Sequence, residues 1–184
     1  MDEAIKKVLT ELKKIKKLYS NYHRPNVSGV RKICKHGKDH IYGTTHVYGF
    51  SCESINMGKT IVKYSKAEEG RVRDSKWNTK YPELYQSILE LASYVIPEDF
   101  EMNGIPNICI NKNLKCLPHN DKNKGNSIII GLGDYTGGRL ILYHTDTDLE
   151  FIDIKNKPYE FNGREIKHST EPFEGDRWSI IYYT

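Results

Sequence analysis

His119 and Asp121 stand two residues apart in Pro118-His119-Asn120-Asp121-Lys122, shortly before the apolar run Ile128-Ile129-Ile130 and a Gly137-Gly138 pair. On an extended segment, positions i and i+2 face the same way, so this imidazole and this carboxylate can hold one ion together. A third ligand is required, and His168, 49 positions after His119, is the candidate. Two imidazoles and one carboxylate on one face of an octahedral ion leave the opposite positions open for reactants, a donor set that suits Fe(II). Taken singly, His119 after Pro118 reads as a surface turn residue and Asp121 as a cap for the Lys-Asn-Lys-Gly loop that follows it. His144 is the rival third ligand. It lies among Thr and Asp residues of hairpin-loop type and no Arg follows it at a useful spacing, so it ranks below His168.

Nine residues after His168 comes Arg177-Trp178-Ser179, leading into Ile180-Ile181-Tyr182-Tyr183. Arg177 and Ser179 share a strand face, where a guanidinium fork and a hydroxyl can grip the far carboxylate of a dicarboxylic cosubstrate. Pairing with Asp176 or Glu174 is the structural alternative. A cation at the start of the last apolar strand, behind a Gly-containing turn, nevertheless calls for an anion. Asn107, Cys109 and Asn111 alternate along an earlier strand, so Asn107 and Asn111 can present two amides to cosubstrate or substrate; ordinary strand polarity explains them equally well. Asn123, Asn126 and Ser127 are close enough in sequence to orient the metal ligands, and Asp134–Gly138 reads as the turn between two core strands.

The elements that must position these residues follow from periodicity. Residues 2 to about 20 put Ile5, Val8, Leu9, Leu12, Ile15 and Tyr19 on one stripe among lysines, a first helix whose Lys face is read as solvated while the stripe packs on a sheet. Residues 23–58 read as loops with one or two short strands, 59–64 as a strand, and 65–80 as a polar surface loop. That loop carries Arg71, Arg73 and Trp77, which are read with Asn123 as substrate contacts. Trp77 can stack a base or pack on the neighbouring helix. A second helix starts near Pro82, carries Leu84, Ile88, Leu91 and Val95 on one side, and stops before Pro97. From Ile105 short strands follow at about 105–111, 127–132, 138–143, 149–154, 158–161, 164–168 and 177–183. The predicted fold is α+β: a jelly roll over 105–184 buttressed by the helical and loop part, 1–104, within a single domain, 1–184.

Composition narrows the setting. The chain has a formal net charge of +4, with eleven cations against four acids in the first forty residues, which permits an anionic partner. Cys34, Cys52, Cys109 and Cys116 form no C-x-x-C pair and no disulfide framework, so reduced thiols in an intracellular protein, in cytoplasm or nucleus of a host cell, are expected. Cys34 with His36, His40 and His46 fits no common zinc spacing and reads as solvated. There is no apolar run of spanning length and no signal-type segment, so neither a membrane partner nor secretion is expected.

Together, His119-Asn120-Asp121, His168 and Arg177-Trp178-Ser179 resemble the H-x-D, distal H and R-x-S motifs of the Fe(II)- and 2-oxoglutarate-dependent dioxygenases. The resemblance covers about 105 to the end and implies a double-stranded β-helix, a form of jelly roll. It also implies Fe(II) on His119, Asp121 and His168, 2-oxoglutarate held by Arg177 and Ser179, and O2 as second cosubstrate. The activity implied is oxidative decarboxylation to succinate and CO2, coupled to hydroxylation of a substrate C–H bond. The stretches Pro118–Asn123, Gly131–Leu140 and Pro172–Ser179 look like the branch containing the TET and J-base-binding-protein oxygenases, and are also similar to compact dioxygenase domains of viral and protist type. That branch implies a nucleic-acid base as substrate, a 5-methylpyrimidine in DNA or RNA. A hydroxylase of a protein side chain or small molecule on the same fold is the alternative, and a catalytically silent binding module is a further one. Oligomeric state is left open by the sequence.

Overall fold

A computed structural model describes residues 1–15, 53–61, 72–100, 106–123 and 125–183, together with the backbone of five two-residue strands between 23 and 51. In chain order the elements are α1 (Asp2–Lys14), β1 (His23–Arg24), β2 (Val27–Ser28), β3 (Ile41–Tyr42), β4 (Thr45–His46), β5 (Phe50–Ser51), β6 (Glu53–Ile61), β7 (Val72–Asp74), α2 (Lys76–Lys80), α3 (Pro82–Val95), β8 (Asn107–Lys112), β9 (Lys115–Cys116), β10 (Ser127–Gly137), β11 (Leu140–Tyr143), β12 (Leu149–Ile152), β13 (Tyr159–Phe161), β14 (Lys167–Thr170) and β15 (Phe173–Tyr183).

A six-stranded antiparallel sheet runs β13-β10-β15-β8-β6-β7, and a three-stranded sheet runs β12-β11-β14. The short segment at His119 is bridged to β14 and so extends the smaller sheet. From β8 onward the chain therefore passes back and forth between the two layers: β8, β10, β13 and β15 lie in the large sheet, and the His119 segment, β11, β12 and β14 in the small one, while β9 pairs with β2. That winding is a double-stranded β-helix, with β6, β7 and the helices added to the large sheet. The fold is α+β, as the sequence predicts.

The large sheet has two chemically different faces because its strands alternate. Ile55, Met57, Ile108, Ile110, Ile128, Ile130, Leu132, Trp178, Ile180 and Tyr182 point to one side, where α1 and α3 cover them with Ala4, Ile5, Val8, Leu12, Leu84, Ile88, Leu91 and Val95. Tyr182 donates its hydroxyl to Ile88 O at 3.0 Å, and Lys7 pairs with Glu90 at 2.8 Å, so both helices are fixed to the sheet and to each other. The opposite residues, Ser54, Asn111, Arg177 and Ser179, are buried and polar, and face the small sheet. Beside them Ile129, Leu140, Leu142, Ile154 and Phe161 form a smaller apolar cluster.

Several boundaries differ from the sequence reading. The first described helix ends at Lys14, and Tyr19 lies outside the described residues. The strand expected at 59–64 begins at Glu53, because Ser54 and Asn56 take the polar face while Ile55 and Met57 take the core; residues after Ile61 lie outside the described set until Val72. The segment 65–80 is not all surface loop: Val72–Asp74 pairs with β6, and Lys76–Lys80 is a helical turn capped by Ser75, whose hydroxyl accepts from Trp77 N. β10 continues through Asp134–Gly137, and the turn is confined to Gly137 and Gly138, at φ +71° and +70°. β15 opens at Phe173, so Arg177 sits in mid-strand, and β14 begins at Lys167 after a turn over 162–166. The α3 helix, Pro82–Val95, matches its prediction.

Replacing Tyr182 by Phe keeps the ring and removes only the donor to Ile88 O. The expected cost is about 1 kcal/mol, read as a lower denaturant midpoint at unchanged m-value.

Candidate metal centre

The smaller sheet brings His119 and His168 together. His119 N donates to His168 O at 3.0 Å and His168 N to His119 O at 2.9 Å, a closed two-bond bridge across 49 positions of chain. Asp121 N donates to Gly163 O at 2.8 Å, which holds the next ligand in place. Both rings are oriented by their own backbone: Nδ1 of His119 bonds Leu117 O at 2.7 Å, and Nδ1 of His168 bonds Ile166 O at 3.1 Å. Each Nδ1 is thereby the donor, and each Nε2 presents a lone pair. Those two Nε2 atoms lie 3.6 Å and 3.5 Å from the two oxygens of Asp121, and the donor atoms all fall within 4.8 Å of one another. A divalent ion fits this set, with its outer side left to solvent by the half-exposed Asp121. Burial of His168, against Phe161 at 4.9 Å, holds its pKa below the usual imidazole value, which favours the neutral, ligating form.

Gly163 is the hidden member of this centre. A Cβ there would come 2.7 Å from Asp121 Oδ2 and 3.1 Å from His168 Cε1. Only a residue without a side chain lets the carboxylate swing in beside the imidazole.

Deeper between the sheets lies Arg177, 2% exposed. Its Nε donates to Gly138 O at 3.2 Å, and its charge lies 5.6 Å from the ring of Tyr135 and 5.4 Å from that of Phe173. Among the described residues no carboxylate pairs with it, so neither Asp176 nor Glu174 fills that role. Burial lowers its pKa from the ordinary guanidinium value, opposed only in part by Tyr135 and Cys116. Ser179, on the same face, accepts from Asn111 Nδ2 at 3.3 Å and keeps its own O–H free to donate. The sequence-derived pair Arg177 and Ser179 thus shares one buried polar face with Asn111. Asn107 sits four residues further along β8, beside Tyr183 and Gly58, about 13 Å from Asn111 at strand spacing. Asn123 bonds Gly125 O and Ser127 Oγ through Nδ2, while its buried Oδ1 has no partner among the described residues.

Tyr135 is a site residue that the sequence reading missed. Gly131 and Tyr135 share the polar face of β10, and the absent side chain at 131 lets the phenol fold back along its own strand. Its hydroxyl packs directly over Gly131, is buried beside the Arg177 guanidinium, and has no well-formed hydrogen bond among the described residues. Burial raises its pKa, and the Arg177 charge opposes that rise. The legible signal was the spacing Gly-x-Gly-x-Tyr within an apolar strand. Lys155 Nζ donates to Tyr135 O at 2.7 Å, and Gly131 exchanges hydrogen bonds with Ile154 and Asn156 at this end of the polar face.

Of the other candidates, Trp77 is part-buried against the helix-side core and stacks on Tyr81, the packing alternative; Arg73 is exposed on β7, and Arg71 lies outside the described residues. Cys109 is buried and its Sγ donates to Asn111 Oδ1 at 3.4 Å, and Cys116 is part-buried. Cys34, Cys52, His36 and His40 lie outside the described residues, as does the His46 side chain. His144 pairs with Glu150 at 2.9 Å on the surface and takes no part in the centre.

No family model matches the chain, and no curated protein sequence matches it. Among solved structures it is similar to an oxidoreductase of the 2OG-Fe(II) oxygenase family from Burkholderia pseudomallei, at 16% identity and a TM-score of 0.46, over 61% of this chain and 59% of that one. It is also similar to the structure of OsALKBH1, at 10% identity and a TM-score of 0.49, over 100% and 92% of the two chains. A third is a prolyl hydroxylase from Trichoplax adhaerens, in complex with a peptide fragment of hypoxia inducible factor, at 14% identity and a TM-score of 0.48, over 98% and 78%. The match spans less than two thirds of the Burkholderia protein. At these identities and scores nothing about activity passes from those proteins to this one.

Two outcomes follow. Gly163→Ala is expected to weaken Mn(II) or Co(II) binding by about 10- to 100-fold in a direct titration while the metal-free protein keeps its circular dichroism, because the added methyl displaces Asp121. Arg177→Met is expected to leave the ligand-free protein as stable as the parent or more so by thermal melt, since it removes a buried charge without a carboxylate partner.

Proposed function

We propose that this chain is an Fe(II)- and 2-oxoglutarate-dependent dioxygenase acting on a nucleic-acid base, most specifically a 5-methylpyrimidine in DNA or RNA. The observation that carries the oxygenase reading is a two-imidazole, one-carboxylate centre with both Nε2 atoms free, placed in the same inter-sheet space as a buried Arg177 that lacks a carboxylate. Iron with 2-oxoglutarate and O2 would supply the oxidising chemistry, at the expense of the keto acid, which leaves as succinate and CO2.

The chain's own residues divide the remaining work. His119, Asp121 and His168 hold the ion on one face, and the two carbonyls behind the imidazoles keep their lone pairs aimed at it. Arg177 binds the distal carboxylate of the cosubstrate, and Ser179 donates its free O–H to the same group while Asn111 fixes that hydroxyl. The Tyr135 hydroxyl, without a well-formed hydrogen bond among the described residues, supplies a further donor. Ile154, Leu142 and Phe161 exclude water from the walls.

The base reading is supported by the motif wording shared with the TET and J-base-binding branch, and by the charge at the mouth. Lys122 follows the ligand Asp121, Arg164 follows Gly163, and both are exposed, while Asn120 Nδ2 bonds Arg164 O at 3.1 Å and fixes that turn beside the centre. Phosphates flanking a flipped base would meet these two cations. On this reading residues 1–184 form one catalytic domain working in an intracellular, reducing setting.

The test is mass spectrometry of nucleosides from methylated and unmodified DNA and RNA after incubation with enzyme, Fe(II), 2-oxoglutarate and O2, with succinate followed alongside. Hydroxymethyl or formyl bases that vanish with His119→Ala are expected. Succinate without any base product would overturn the base assignment and leave a protein side chain or small molecule as substrate. Failure to bind metal or cosubstrate would leave a binding module.

A further inference from the structure

The helical turn α2 is held more firmly than its length suggests. Asn78 Oδ1 accepts from Gly58 N at 2.9 Å and Asn78 Nδ2 donates to Gly58 O at 3.0 Å, while Ser75 N also donates to Gly58 O at 2.9 Å and the Ser75 hydroxyl to Asn56 O at 2.6 Å. Four hydrogen bonds thus fix α2 to one point of β6. On it, Trp77 and Tyr81 lie parallel within 4°, their centroids 5.8 Å apart, both part-exposed. Lys76 stands 5.3 Å from the Trp77 ring, and Lys80 stands 4.7 Å from Trp77 and 5.2 Å from Tyr81. No acid occurs from 75 to 82, and the adjacent Asp74 is already paired with Lys59 at 2.8 Å.

The position of this patch relative to the metal follows from strand register. Gly58, Asn107, Tyr183, Ser127 and Phe161 are successive partners across the large sheet, so they form one row at one end of it. Phe161 packs on the ligand His168 at one end of that row, and Gly58 carries α2 at the other. From β13 to β6 there are four strand intervals, which at about 4.8 Å each is about 19 Å.

We infer that the Trp77–Tyr81 pair, with Lys76 and Lys80, is a second contact for single-stranded nucleic acid, separate from the base held at the metal centre. Aromatic rings accept bases of any sequence, and a base entering here displaces the ammonium groups that lie over the rings toward its backbone phosphates. This inference rests on the base-oxygenase reading above and adds to it a footprint.

Lys76→Gln/Lys80→Gln and Trp77→Leu test it, the first touching only exposed charge and the second keeping an apolar side chain against the core. Fluorescence anisotropy with a 12-nucleotide strand and with a trinucleotide, both carrying 5-methylcytosine, is read at several salt concentrations, with thermal melts and 2-oxoglutarate titrations alongside. The 12-mer is expected to bind each variant about tenfold more weakly. For the lysine variant the salt slope should flatten by about 1.4, the value for two single-strand phosphate contacts. Trinucleotide binding and cosubstrate affinity should stay as in the parent protein, as should the melting of the lysine variant. Unchanged 12-mer affinity in both variants would overturn the second contact while leaving the base reading standing. Equal losses on the trinucleotide would overturn a contact separate from the metal centre. A parent protein that binds neither oligonucleotide would remove the base reading itself.

Discussion

The pair of backbone hydrogen bonds between His119 and His168 is the constraint on which the rest of the structure depends. It joins a two-ligand segment that belongs to no regular strand to β14, and so closes the small sheet over the large one. Without it the H-x-D segment would be a free loop, and two ligands could not meet a third 49 positions away. Because backbone atoms make the clip, the imidazoles remain free, and their Nδ1 atoms bond carbonyls two residues upstream in both cases. The same local device thus sets both rings, on two segments with no sequence in common apart from the His.

The large sheet separates folding from function by face. Its helix side carries fully buried Ile, Leu and Met packed by α1 and α3, the conventional source of stability. Its other side carries Ser54, Asn111, Arg177 and Ser179, together with a Tyr135 hydroxyl and an Asn123 carbonyl that have no well-formed hydrogen bond among the described residues. Buried donors and acceptors left open are costly, and a buried cation without a carboxylate more so. The helix-side core sustains that cost, and an anionic ligand arriving between the sheets would relieve it.

Much of this was legible in the chain. The i, i+2 spacing of His119 and Asp121 and of Arg177 and Ser179 survives because strand geometry makes those faces common regardless of the rest of the fold, and the α3 helix was announced by Pro82 and a clean 3.6-residue period. Other parts were not legible, for physical reasons. β6 starts at Glu53 although Ser54 and Asn56 are polar, because they share the polar face of the sheet with Asn111, and binary patterning expects apolar residues there. Trp77 looked like part of a loop since its helix is a single turn, held by Asn78 and Ser75 bonds to Gly58 that no local pattern encodes. Tyr135 was absorbed into a turn because the Gly residues around it signal turns, whereas one of them, Gly131, clears space for its hydroxyl. Gly163 carries no local signal, since its role exists only through Asp121 and His168.

The most direct test of a single site with a metal at one end and Arg177 at the other is calorimetric titration of 2-oxoglutarate into the protein with and without Mn(II). Binding of one equivalent that is strong with Mn(II), weak without it, and lost in Arg177→Met even when Mn(II) is bound is the result expected. Equal affinity in the presence and absence of the metal, or unchanged affinity in Arg177→Met, would contradict it.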